Sequence, residues 1–239
     1  MRYIPNILTC LNLALGCLAL IYIFDGKMYF AAIIIGIAAI LDLADGMLAR
    51  LLNAQTAIGK DLDSLADMVS FGVVPSIVIF MFMAESPNLP ILFSNIWLMA
   101  TPAFLIAVFS ALRLAKFNND KSQSDSFSGL PTPANAIFFL SLPLVLKYGS
   151  ELSPIYKAIE LITEDYYSLL ALTILSSALL VSNITLFSLK FKNLKLKENL
   201  TRYIFLTISV IMLLILFTEA IPLIVIFYLI LSLVNYLIN

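Results

Sequence analysis

Apolar residues fall in long blocks along this chain, each about 18 to 25 residues, the length a helix needs to cross the hydrocarbon core of a bilayer. Eight such blocks can be marked, near residues 5–24, 28–50, 59–84, 94–116, 131–149, 167–189, 200–218 and 221–238. Only a short turn around Glu219 to Pro222 separates the last two, which predicts a tight helical hairpin. Pro75, Pro102 and Pro143 lie inside blocks, where neighbouring helices can satisfy the freed carbonyls, so local kinks are expected there. The pattern predicts an all-α integral membrane protein with about eight transmembrane helices. It forms one membrane domain, without an internal repeat or a soluble appendage.

Composition strengthens this reading. Of 239 residues, 62% are hydrophobic and 12% charged, with a mean hydropathy of +1.02, far from the usage of soluble domains. The bilayer is the solvent. A net charge of −1 gives no basic field for nucleic acid, so the position of each charge matters more than the sum. With the N-terminus inside, the cytoplasmic ends hold Arg2, Arg50, Lys60, Arg113, Lys116, Lys121, Lys190, Lys192, Lys195, Lys197 and Arg202. The opposite side holds only Lys27, Lys147 and Lys157, and that bias puts both termini in the cytoplasm. The Lys190 to Lys197 run is expected to fix topology, with attraction to anionic headgroups as a second role. Arg2 precedes the first block without a small-residue cleavage pattern, so that block is expected to be a retained span.

The residue inventory narrows the chemistry. There is no histidine, which removes imidazole acid/base catalysis, Ser-His-Asp triads and His-ligated zinc. Cys10 and Cys17, seven residues apart in an apolar run, suit packing better than a disulfide or a metal site. Catalysis must therefore run on carboxylates.

Asp42, Asp45, Asp61, Asp63 and Asp67, five of the 15 acidic residues, crowd into the second and third blocks. Ionisable groups at such depth are costly and are usually functional or paired. Nearby Arg50 and Lys60 are too few to neutralise them, so a cation must come from solution. Asp42 and Asp45 are three apart and Asp63 and Asp67 four apart, so each pair shares a helical face. An antiparallel hairpin turning near Asn53 and Ala54 would bring the two pairs to equal depth, because rise per residue is the same in both helices. Asp42, Asp45, Asp63 and Asp67 would then converge. An all-oxygen site suits Mg²⁺ or Mn²⁺, and four carboxylates suit two ions, an arrangement fitted to phosphoryl chemistry. Gly46 and Gly59 leave room for a ligand beside the backbone. Arg50, one turn beyond Gly46, can hold a phosphate.

Residues 42–67 read DLADGMLARLLNAQTAIGKDLDSLAD, matching D-x2-D-G-x2-A-R-x8-G-x3-D-x3-D without departure. This resembles the signature of the CDP-alcohol phosphatidyltransferase family. The resemblance implies a six-helix core opening to the cytoplasm, with Asp42, Asp45, Asp63 and Asp67 as metal ligands and Asp67 also the general base. It implies that Gly46, Ala49 and Arg50 line the site of the CDP-lipid and that Thr56 reaches a phosphate of the donor. The segment PNILT is similar to a family element that contacts the nucleotide, which adds Asn6 and Thr9. Asp61 lies outside the pattern and is expected to be solvated.

ALRLAKFN at 111–118, FSGLPTPANA at 127–136 and SFGVVPS after Asp67 resemble stretches of the phosphatidylserine synthase branch, RLARFN and F-x-GLP-x-PAAA among them. Eight spans, a six-helix core and two C-terminal helices, also resemble that branch. Lys116 stands where that pattern has arginine, and Asn135 where it has alanine. The likeness implies CDP-diacylglycerol as donor, L-serine as acceptor bound by Arg113, Lys116 and Asn118, and a homodimer in the cell membrane. It covers residues 1–189 as a core and leaves 190–239 as a basic loop and helix pair. Phe127, Gly129 and Pro131 are expected to shape the loop over the site. Glycerol 3-phosphate or an inositol derivative would call for more basic residues than the pocket offers. A cation transporter would spread its acids along a route through the bilayer, whereas these gather near one surface.

Overall fold

The computed structural model describes residues 3–52, 56–90, 95–119, 126–187, 195 and 199–238. Arg2, Asn53, Ala54, Lys121, Lys190, Lys192 and Lys197 lie outside the described residues. Each of the eight apolar blocks contains helix among its described residues. The first two are α1 (Ile4–Phe24) and α2 (Met28–Leu51). The third begins as α3 (Ala57–Asp67), widens into a π-helical turn (Met68–Val73) and continues as α4 (Val74–Glu85). Pro75 explains the widening: it has no N–H to give the preceding turn, and a π turn absorbs the mismatch.

In the fourth block a short α5 (Ile96–Ala100) passes through a 3₁₀ turn at Thr101–Phe104, which contains Pro102, into α6 (Leu105–Asn119). Thus two expected proline distortions are changes of helix type. Beyond α6 come α7 (Thr132–Tyr148), with Pro143 inside it, α8 (Pro154–Glu164) and α9 (Tyr166–Val181). The chain ends in α10 (Leu200–Leu216) and α11 (Ala220–Ile238), which pack together as the predicted hairpin. Phe217, at φ 50° and ψ −120°, breaks the helix there.

Among the described residues, five helical stretches are long and apolar enough to span a membrane, or six if α8 and α9 count as one broken span. One of the five, Leu200–Tyr236, is 37 residues long and holds both hairpin arms. At 17 and 16 residues, α7 and α9 are the short members. The chain is a multi-pass, all-α membrane protein.

Two boundaries differ from the sequence reading. The block expected at 167–189 leaves the helix at Val181, and Thr185–Phe187 becomes a strand, β2, antiparallel to β1 at Ser126–Ser128. Helix α8 falls in a stretch read as connection. It is amphipathic, with Ile159 and Thr163 buried and Lys157 and Glu164 exposed, and it bends 94° from α9. A helix of that kind lies along the membrane surface when its neighbour crosses.

Helix α1 is the spine of the site. It packs along α2, α3 and the π turn, whereas α2 and α3 make little backbone contact with each other. Their predicted hairpin is therefore splayed, with α1 bridging its arms, because facing carboxylates need room between the helices. The close approach of α1 requires Gly16, where a Cβ would stand 2.6 Å from Ser70 Oγ. Phe71, Val74, Val78, Ile79, Met83, Ile106, Phe139 and Leu169 fill the core around the π turn. Ile40, Leu43, Ile174, Leu214 and Ile215 face outward, where lipid replaces protein as the apolar medium. Cys10 and Cys17 are also exposed, so they are not packed inside.

The C-terminal pair covers the β1–β2 ladder. Leu130, Leu180, Leu186, Phe205 and Tyr228 form a second apolar cluster, and Tyr228 donates its hydroxyl to the Phe187 carbonyl at 3.0 Å. Gly129 turns the chain from β1 toward α7 at φ +77°, and any Cβ there would lie 2.4 Å from the Leu180 carbonyl oxygen. Its N–H bonds the Ile184 carbonyl. The FSGLP stretch is thus a pinned turn, with Pro131 directly before α7.

Candidate active site

Asp42 and Asp45 sit near the end of α2, and Asp63 and Asp67 on α3, where the amphipathic pattern turns both carboxylates inward. Asp42, Asp63 and Asp67 each bring an oxygen within 4.8 Å of the others. Asp45, 5% exposed, stands beside them and receives the Thr9 hydroxyl from α1 at 2.6 Å. The lone ion pair among the described residues joins Lys27 to Asp25, so none of these four acids is held in an ion pair with a described base. Asp63 Oδ1 is buried without a hydrogen-bond partner. Like charges held this close in a poorly hydrated place require a counter-ion. The donor set, all carboxylate oxygen, fits a hard divalent cation. Asp61 is exposed, as expected.

Around the acids, α1 supplies a polar face. Asn12 is fully buried and donates Nδ2 to Asp67 Oδ1 at 3.4 Å. Ser70 in turn donates to the Asn12 carbonyl at 3.1 Å. Asn12 was not among the residues expected from sequence. The signal was present nonetheless: Asn6, Thr9 and Asn12 recur every three residues, drawing a polar stripe along one side of an apolar helix.

Asn6 and Thr56 meet at Gly59. A Cβ on Gly59 would lie 3.0 Å from both Asn6 Oδ1 and Thr56 Oγ1, and Thr56 caps α3 by accepting from the Gly59 N–H at 3.0 Å. Gly59 therefore lets three candidate donor-site residues close up, not a ligand approach it. Gly46 is different: nothing lies within 4 Å of where its Cβ would be. Ala49 is half-buried and Arg50 exposed beyond it, leaving an open shelf along α2 beside the acids.

Across the site, α6 contributes Arg113. It is 8% exposed and within electrostatic range of Asp67 and Tyr228. Its Nη1 donates to Thr132 Oγ1 at 3.4 Å, while Nε is buried without a partner. Lys116 points elsewhere, donating to Asn183 Oδ1 at 3.1 Å on the exposed side. Asn118 closes α6 onto α3, with Nδ2 on Ser64 Oγ at 2.7 Å and its carbonyl accepting from Lys60 Nζ at 2.5 Å. So Arg113 faces the acids, Asn118 holds the rim and Lys116 is turned away.

Comparison with known proteins bears on this geometry. The model of the CDP-alcohol phosphatidyltransferase family matches residues 2–164. The chain is 32% identical over 206 residues to the CDP-diacylglycerol–serine O-phosphatidyltransferase of Helicobacter pylori, covering 85% of this chain and 78% of that one. It is 33% identical over 156 residues to the enzyme of the same name from Bacillus subtilis, covering 63% and 83%. It is 34% identical over 152 residues to archaetidylserine synthase of Methanothermobacter thermautotrophicus, covering 63% and 61%. The family match spans most of the chain and includes every carboxylate that converges here, and on that ground the chain belongs to the CDP-alcohol phosphatidyltransferase family.

Proposed function

We infer that this protein transfers the phosphatidyl group of CDP-diacylglycerol to the hydroxyl of L-serine, releasing CMP and leaving phosphatidylserine in the membrane. The observation that carries the reading is the convergence of Asp42, Asp63 and Asp67 opposite a buried arginine. One side suits a metal-bound pyrophosphate and the other a carboxylate. The relatives' names, all serine-accepting transferases or an archaetidylserine synthase, support the same acceptor.

In this reading the lipid donor enters from the inner leaflet along the shelf at Gly46 and Ala49. Arg50, Thr56, Asn6 and Thr9 line the CDP end, and Gly59 lets them assemble. Asp42, Asp45, Asp63 and Asp67 would hold two Mg²⁺ or Mn²⁺ ions, which when bound supply positive charge for the attacking and leaving oxygens. Arg113 binds the serine carboxylate with its fork of donors and Asn118 shapes the rim, while Lys116, held by Asn183 on the exposed side, takes no part in binding. Asp67 takes the proton of the serine hydroxyl, with Asn12 holding its other oxygen in place. The serine oxygen bonds to the phosphorus that carries diacylglycerol. The bond from that phosphorus to the bridging oxygen breaks, and CMP leaves with that oxygen.

The proposed topology puts both termini and the active site on the cytoplasmic side of the cell membrane. Residues 1–189 form the transferase core, residues 190–239 the basic loop and helix pair, and the assembly is a homodimer in membrane lipid. The test is CMP release by purified protein with CDP-diacylglycerol and Mg²⁺ or Mn²⁺, comparing serine, glycerol 3-phosphate and inositol, with a chelator control. Serine alone should support release, and the chelator should stop it. Release that follows glycerol 3-phosphate or inositol instead would overturn the acceptor assignment.

A further inference from the structure

One turn into α7, Asn135 is buried with no protein use for its amide among the described residues. It is 1% exposed, and neither its Nδ2 nor its Oδ1 has a hydrogen-bond partner among the described residues. Its orientation follows from Thr132, three residues earlier on the same helical face. The Thr132 hydroxyl accepts from Arg113, so that face looks toward the arginine, whose Nε is also unpartnered. Burying both ends of an amide without partners is disfavoured, and the more so inside a membrane. The similar stretch F-x-GLP-x-PAAA has alanine at this position, so packing at this bend does not require a polar side chain.

The chemistry of the amide selects the ligand class. An asparagine offers one donating and one accepting end, whereas Arg113 only donates. Together they complement a molecule carrying a carboxylate and an ammonium on adjacent atoms. We propose that Asn135 binds the head group of a zwitterionic α-amino acid acceptor, Oδ1 to the ammonium and Nδ2 to the carboxylate, adding in this chain to the hold that Arg113 supplies.

The proposal rests on the serine-transfer reading, and the experiment separates the two. Steady-state CMP release is measured for wild type and Asn135→Ala with serine and CDP-diacylglycerol varied in turn, alongside melting temperature with and without serine. Loss of hydrogen bonds to charged groups should raise the serine KM about tenfold or more. The KM for CDP-diacylglycerol and kcat should stay within about twofold, as expected when uniform binding is removed. Without serine, the variant should melt no lower than wild type, because no native hydrogen bond is lost, and serine should raise its melting temperature less. An unchanged serine KM, a parallel rise in both KM values, or a fall in melting temperature without serine would each assign Asn135 to structure and overturn the proposal. Wild type releasing no CMP with serine would remove the underlying reading as well.

Discussion

Thr9→Val tests whether the first helix tunes the acid cluster. The substitution keeps the shape of the side chain and removes one hydroxyl. That hydroxyl lies 2.6 Å from Asp45 Oδ2 and 3.0 Å from the Pro5 carbonyl, and it has one proton to give. The shorter contact and the charged acceptor decide in favour of Asp45. Thr9 is 3% exposed and Asp45 5% exposed, so water cannot readily replace the lost donor. A hydrogen bond to a charged group contributes about 1.5–3 kcal/mol, and at about 1.4 kcal/mol per decade that is roughly 10- to 150-fold in an equilibrium constant. Loss of an outer partner of a ligating carboxylate typically costs about 10- to 100-fold in metal affinity. The two estimates agree. The Mn²⁺ concentration giving half-maximal CMP release should therefore rise by about one to two decades, with kcat at saturating metal much less affected. An unchanged metal dependence would refute the assignment of Asp45 to the metal site.

Four further outcomes follow from the same geometry. Asp67→Asn should lower CMP release by at least about 100-fold while CDP-diacylglycerol still binds, as judged by thermal shift; full activity would end the assignment of Asp67 as base. Arg113→Lys keeps the charge but loses the planar fork, so serine KM should rise about tenfold in the same CMP assay with little change in donor KM. Gly129→Ala forces a side chain into φ +77° and against the Leu180 carbonyl; the backbone conformation alone costs about 1–2 kcal/mol, and thermal unfolding in detergent should move down by several degrees. At the α8–α9 bend, hydrogen bonds from Ser168 and Asn88 hold the Asp165 carboxyl below the usual carboxylate range. Its stabilisation is present above the unfolded value near 3.9 and is lost as pH falls through the lower folded value. Melting curves of wild type and Asp165→Ala should therefore differ at pH 7 and draw together in acid.

Much of this was legible in the chain because the bilayer simplifies the code. Helix positions followed from block length alone, since a span must satisfy its own backbone. The acids were legible because charge in a span is rare enough to carry meaning. The splayed hairpin was not, because equal rise fixes the depth of Asp42 and Asp67 but says nothing about lateral distance. Helix α8 escaped because it was read as the connection between two spans. Strand β2 escaped because the block at 167–189 was marked straight across Ser182 and Asn183, the polar pair at which α9 ends before Thr185–Phe187 pairs with β1. Lys116 matched a motif by position, yet its side chain turns to Asn183.

The polar residues of the spans divide by a single question: whether each buried donor and acceptor has a partner within the protein. Ser86, Asn88 and Asp165 satisfy one another where α4 meets α9, and Glu219 is satisfied by the Ser150 N–H at 2.9 Å and the Ser153 hydroxyl at 2.5 Å. Those groups join helices. The unsatisfied atoms are distributed differently. Among the described residues, the unsatisfied amide, carboxylate and guanidinium atoms, Asn12 Oδ1, Asp63 Oδ1, Arg113 Nε and both ends of Asn135, are carried by helices that pack against the π turn or lead into it, whereas the unsatisfied hydroxyls of Ser110, Thr173, Ser177, Ser209 and Ser232 are scattered over α6, α9, α10 and α11. In a soluble protein, unpaired atoms at a cleft could be left to solvent. Within a bilayer the alternative is hydrocarbon, where each costs several kcal/mol, so a concentration of them around one set of carboxylates is stable only where polar ligands enter from both sides. A donor held over α1, α2 and α3 and an acceptor held between α6 and α7 meet that condition, with the acids lying between them.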